Sequence, residues 1–132
     1  MAKIISGNDI ARAMNGSVKE SVSKLVPALG RPLKLVSVSV GQRGDAEIYV
    51  NMQRRAAEFV GIEFSTVSLD GSVSQERLES EIDRLNRDLS VSAIIVQKPL
   101  PEGIDHSAVA ARILPEKDAE GVHPYNLGKI FR

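Results

Sequence analysis

Apolar and polar positions along the chain switch between two periods, and the switches mark its elements. Ile10, Met14, Val18, Val22 and Leu25 recur close to helical spacing, which predicts a first helix. Asn8 or Asp9 is placed to cap its start, and Gly30 followed by Pro32 predicts its end near Leu29. The short apolar run at 3–6 is a candidate edge strand. The period then falls to two. LKLVSVSV at 33–40 is β-branched and apolar with serines alternating, the pattern of a strand covered by helices on its faces. A polar loop at 41–44 leads into DAEIYVNMQRRAAEFV at 45–60, where Tyr49, Gln53, Ala56 and Val60 fall at i, i+4, i+7 and i+11. That stripe predicts a helix with an apolar end and a polar end, the polar end near the carboxyl end of the preceding strand.

IEFSTVSL at 62–69 reads as a second strand, with Asp70-Gly71 as its turn. Ser72 with Gln75 fits a capping box, and Leu78, Ile82, Leu85 and Leu89 predict the buried stripe of a further helix. AIIV at 93–96 is a short strand that runs straight into Gln97-Lys98-Pro99-Leu100-Pro101, where two prolines stiffen the backbone and Lys98–Pro99 is a candidate cis bond. Asp105 is placed to cap a short helix through Ile113. The polar segment 115–126 that follows is of a length that often carries function. The alternation predicts a single-domain α/β fold: a small parallel sheet with helices on both faces, three layers in all, joined by right-handed crossovers. In such sheets ligands bind beyond the carboxyl ends of the strands, which is where Tyr49, Gln53, Gln97 and Pro99 fall.

Composition narrows the chemistry. The 132 residues suit one domain, and 42% apolar content suits a single core. Lys plus Arg and Asp plus Glu stand at 17 each without a run of like charge, which argues against nucleic acid or an anionic membrane as a partner. There is no cysteine, so disulfides, thiolate metal sites and cysteine nucleophiles are ruled out, and with only His106 and His123 no metal site is expected. MAKIISGNDIARAM carries polar and charged residues too early for a signal peptide or a membrane span, so a cytoplasmic location is expected. Neither GxGxxG nor GxxxxGK[ST] occurs.

IYVNMQRRAAEFVGI at 48–62, IIVQKPLP at 94–101 and PEKDAEGVHPYNLGKI at 115–130 stand in one order over essentially the whole chain. Together they resemble the N-terminal, folate-binding domain of bifunctional methylenetetrahydrofolate dehydrogenase/methenyltetrahydrofolate cyclohydrolase. The resemblance implies that Tyr49, the tyrosine of a YVxxK motif, lines the pterin and aminobenzoate site. It implies that Gln97, of VQxPLP, supports the catalytic group and the folate, with Pro99 of the same stiffened run as a substrate contact. Glu120 stands at the second acid of KDxDG, which holds the pterin's amino edge, and is one methylene longer than the family's residue.

The main departure is Gln53, which stands where the family has the lysine that assists water attack on the methenyl carbon. Arg54 and Arg55 are turned by about 100° and 200° from it around a helix, and a guanidinium with a pKa above about 12 is a poor proton shuttle. Ala46 replaces a serine that often precedes the tyrosine by three residues. A glutamine can orient water but cannot titrate, so cyclohydrolase activity is expected to be weak or lost. Dehydrogenase activity needs NADP or NAD, which the family binds in a C-terminal Rossmann domain absent from this chain, so the chain alone is not expected to transfer hydride. The resemblance implies a tetrahydrofolate derivative as substrate, and a homodimer or a separate cofactor domain as protein partner.

Each of these readings has a plainer counterpart. On spacing alone Tyr49 reads as half-buried packing and Gln53 as a solvated surface amide. Lys98 reads as a solvated lysine or as a substitute for the missing one. His123 suits a hydrogen-bonded turn and Asp118 a loop cap. The alternative function is a non-catalytic folate-binding or association module.

Overall fold

The structure, a computed structural model, describes residues 1, 4–41 and 44–131, with residues 45 and 46 described by their backbone alone. Its order is α1 (Gly7–Leu29), β1 (Lys34–Val40), α2 (Gly44–Val60), β2 (Glu63–Leu69), α3 (Gln75–Arg87), β3 (Ala93–Val96), α4 (His106–Arg112), a 3-10 turn (Pro115–Lys117) and α5 (Pro124–Lys129). Residue 3 of the expected edge strand lies outside the described residues, as do 42 and 43 of the expected polar loop, and residues 4–6 are not a strand. Ser6 instead caps α1, its hydroxyl accepting from the Asp9 N–H at 3.3 Å. Asn8 and Asp9 therefore sit inside the first turn rather than before it. The other end follows expectation: Gly30 closes α1 in the left-handed region at φ 66.

The three strands are parallel in the order β2-β1-β3. β1 pairs with β2 from Lys34↔Glu63 to Val40↔Leu69, and with β3 from Leu35↔Ala93 to Val38↔Val96. The chain moves outward from β1 to β2, then back across β1 to β3. Right-handed crossovers in opposite directions place α2 and α3 on opposite faces. On one face Val36, Val38, Val40, Ile94 and Val96 pack with Leu78, Ile82 and Leu85 of α3 and with Val109 of α4. The other face lies under α2, through its buried Ala57 and Val60. α1 packs on α2, with Val22 against Gly61 and the Lys19 ammonium 4.8 Å from the centre of the Phe59 ring.

Three further expectations about faces and caps are corrected. The inner stripe of α2 passes through Ala57 and not Ala56, since Gln53, Ala57 and Val60 keep the i, i+4, i+7 spacing. Leu89 is 84% exposed because α3 ends at Arg87, so the stripe closes at Leu85. Ser72 is taken up by the turn: Asp70 Oδ1 accepts from both its N–H and its hydroxyl, and Ser74 caps α3 instead, accepting from the Arg77 N–H at 3.2 Å. The expected long loop at 115–126 is partly ordered as the 3-10 turn and the start of α5. α1 shows the expected period but buries only Val22, leaving Ile10, Met14, Val18 and Leu25 exposed. Among the described residues no helix is long and apolar enough to cross a membrane.

Candidate functional site

Parallel pairing brings the carboxyl ends of all three strands to one edge. There Gly41, at φ 72, turns the chain out of β1 while its N–H donates to Leu69 O at 2.9 Å, so the ends of β1 and β2 are tied where α2 begins. Gln97 extends β3 by one ladder bond, its N–H donating to Val38 O at 2.8 Å. One residue beyond Val96, its side chain points to the α2 face and is buried. Its Nε2 donates to Gln53 Oε1 at 2.7 Å and to Ser37 Oγ at 2.9 Å. The two amides singled out from the sequence, 44 residues apart, are in direct contact.

Ser37 was not among the residues singled out from the sequence. The signal was present, since the serines of LVSVSV alternate onto the face opposite the valines, but nothing in the strand alone says what meets them. Tyr49 lies one turn before Gln53 on α2 and is 57% exposed, so it is not packing. Arg54 turns away toward β2: its guanidinium lies 4.9 Å from the centre of the Phe64 ring, and Nη1 donates to Phe64 O at 3.4 Å. Arg55 is exposed. Lys98 and Pro99 are exposed and joined by a cis bond. Lys98 and Glu120 line a small crevice with Val96, His106, Val109 and Val122, on the α4 face of the sheet edge. The structure thus gathers the site residues as two groups flanking the end of β3, Gln53 with Gln97 on one side and Lys98 with Glu120 on the other. A wider hollow of about 500 Å³ opens beside Lys34, Glu58 and Phe64, but it lies at the opposite end of the strands and none of the site residues borders it.

The segment carrying Glu120 is anchored by its two predecessors. Lys117 Nζ donates to the carbonyls of Leu85, Asn86 and Asp88 at 3.0, 2.8 and 2.8 Å, satisfying two carbonyls that the end of α3 leaves open and sharing that of Asp88 with the Val91 N–H. Burial holds its ammonium below the usual lysine range. Asp118 bridges to Ile94 on the outer side of β3 and accepts from the N–H groups of Val122 and His123 and from Asn126 Nδ2. His123 in turn caps α5, Nδ1 accepting from the Tyr125 N–H at 3.0 Å. Burial pushes the Asp118 carboxyl up, but the hydrogen bonds from Asn126, His123, Val122 and Gly121 outweigh it and hold the group below its ordinary value.

A carboxyl depressed in this way contributes stability that is complete above its unfolded pKa of about 4 and is lost as pH falls through the lower folded value. Urea midpoints of the native chain are therefore expected to fall below about pH 4. Asp118→Asn should flatten that acid limb and cost about 1 kcal/mol at neutral pH; an unchanged limb would remove Asp118 from the account.

Residues 5–120 match the family described as tetrahydrofolate dehydrogenase/cyclohydrolase, catalytic domain. The bifunctional protein FolD of Staphylococcus haemolyticus (strain JCSC1435) is 40% identical over 131 residues, which is 99% of this chain and 46% of that protein. The same identity and coverage hold for the bifunctional protein FolD of Staphylococcus epidermidis (strain ATCC 12228 / FDA PCI 1200). Among solved structures, a 5,10-methylenetetrahydrofolate dehydrogenase from the silkworm, Bombyx mori, superposes with a TM-score of 0.92 at 36% identity, covering 98% of this chain and 45% of that one. The N5,N10-methylenetetrahydrofolate dehydrogenase-cyclohydrolase of Trypanosoma brucei, complexed with NADP cofactor and inhibitor, gives 0.89 at 38% identity, covering 98% and 44%. The chain thus spans less than half the length of the curated relatives it matches.

Proposed function

The chain belongs to the tetrahydrofolate dehydrogenase/cyclohydrolase family, where it corresponds to the catalytic domain, and on that premise we propose that it is the folate-site domain of a one-carbon enzyme. It takes a one-carbon-substituted tetrahydrofolate at the carboxyl edge of its sheet. In this reading the Tyr49 ring stacks along the pterin and aminobenzoate, and Gln97 and Pro99 contact the folate from the end of β3. Glu120 accepts from the pterin's amino edge, and Gln53 faces the one-carbon bridge.

The observation that carries the reading is the 2.7 Å contact of Gln53 with Gln97. A neutral amide in contact with the residue expected to hold the folate supports a site that lacks an acid–base group at position 53. Binding is retained and proton transfer is weak. NADP would come from a further domain or partner, since the chain has no glycine-rich dinucleotide fingerprint to cradle a pyrophosphate.

Titration calorimetry with 5-formyltetrahydrofolate, a chemically stable reduced folate, tests the binding. Tyr49→Ala is expected to weaken it about 3- to 10-fold, the worth of one aromatic contact. No binding by the native chain would instead favour an association module. That second reading draws on the exposed apolar stripe of α1, which a partner could cover.

A further inference from the structure

Ser37 sits in the middle of the central strand, covered on both faces and without exposed surface. Such a position ordinarily takes a β-branched apolar residue, and a buried hydroxyl there is costly unless it is hydrogen-bonded. A polar side chain that breaks the local packing rule calls for a reason elsewhere in the molecule. Its partner is the Gln97 amide at 2.9 Å, and the same terminal atom of Gln97 meets Gln53 at 2.7 Å. Three elements are therefore joined through one shared atom: β1 by Ser37, the end of β3 by Gln97 and α2 by Gln53. The Gln97 backbone is already fixed by its bond to Val38 O, so the remaining freedom of its long side chain is removed by these two contacts.

We infer that Ser37 is a positioning residue of the folate site: its buried hydroxyl holds the Gln97 amide in place, and through Gln97 it sets where Gln53 stands. The inference rests on the reading of Gln97 and Gln53 as folate-facing. Ser37 itself touches no ligand. Without its hydroxyl, Gln97 keeps one contact instead of two and can rotate about its outer torsions, so the Gln53 amide loses a fixed partner although nothing adjacent to Gln53 has changed. The effect is transmitted across 16 residues of sequence, from strand to helix, by side chains alone.

The test uses the 132-residue chain and two readouts. In ¹H–¹⁵N spectra the side-chain amide pairs of Gln97 and Gln53 are expected to be shifted away from those of exposed glutamines. In Ser37→Ala and Ser37→Val both pairs should move toward the exposed position while the backbone signals stay dispersed. Ser37→Thr, which keeps the hydroxyl, should retain them. By calorimetry, 5-formyltetrahydrofolate should bind about fivefold more weakly to the Ala and Val variants, the loss of one ordinary hydrogen bond, and Ser37→Thr should restore it.

A Gln53 amide pair that stays in place in Ser37→Ala overturns the inference, as does an unchanged folate affinity when both pairs have moved. Valine suits a buried central strand, so loss of the fold in both the Ala and Val variants would assign Ser37 to holding the sheet and overturn the positioning role as well. If no chain binds the folate, the amide signals still decide whether Ser37 orders Gln53, and the folate-site reading is what falls.

Discussion

Gln53→Lys is expected, on the folate-site reading proposed above, to raise methenyltetrahydrofolate hydrolysis in the presence of the chain by about 10²- to 10⁴-fold, the usual worth of a positioned acid–base group. The substrate is a resonance-stabilised amidinium cation, and its hydrolysis requires a water aimed at the bridge carbon and a group to take up the released proton. The native amide at position 53 can do the first and not the second. A lysine on the same turn of α2 would reach Gln97, which is 2.7 Å from the present side chain, and would sit among neutral amides in a half-buried place that lowers its pKa toward the working range. Arg54 does not interfere, since it is committed to Phe64 on the β2 side. The measurement is the decay of methenyltetrahydrofolate absorbance with native chain, variant and buffer alone, because the compound also hydrolyses spontaneously. A native chain well above buffer would mean that another group does the proton work, with Lys98 the first to test. If native and variant are both inert while 5-formyltetrahydrofolate still binds, position 53 does not face the bridge.

Lys117→Met should cost about 3 kcal/mol in unfolding free energy, the largest loss expected of any single change near the site. Its ammonium serves three carbonyls at once, two from the last turn of α3 and one from the residue after it. Hydrogen bonds from a charged donor are each worth about 1.5–3 kcal/mol, and three on one half-buried group do not add in full. Methionine keeps the apolar stem and removes the donors, so the change isolates the hydrogen bonds from the packing. Lys117 immediately precedes Asp118, which carries the bridge to Ile94. The variant should therefore also weaken folate binding by releasing the segment that presents Glu120. Chemical denaturation gives the first quantity and calorimetry the second; a loss of stability with unchanged affinity would separate Glu120 from the ligand.

The order of elements was legible because each depends on residues close in sequence. The spacing of Leu78, Ile82 and Leu85, the alternation in LVSVSV and the Gly30 stop all act within a few residues. One cap was misassigned where two local devices competed. Ser72 and Ser74 both suit a cap, and the choice was made by Asp70, whose carboxylate engages Ser72 first. At the site, motif resemblance pointed to Gln53, Gln97 and Glu120. It could not show that Gln53 and Gln97 touch, nor that Ser37 joins them, because those contacts span 44 and 60 residues. The role of Lys117 was illegible for the same reason: its partners are backbone atoms of a helix some 30 residues earlier, and no side-chain pattern records a carbonyl.

The strand order has a bearing on how the chain emerges from the ribosome. β1 is made before either of its neighbours, yet it occupies the centre of the sheet. Its first partner, β2, is complete at Leu69 and its second only at Val96. Until then one edge of the central strand has no ladder, the condition in which nascent parallel sheets fold slowly and need protection from aggregation. Gln97 follows directly, so the amide junction cannot exist on a nascent chain before the sheet closes. During synthesis the proposed ligand site is among the last features to form, and a folate bound there would select for chains whose central strand has already found both partners.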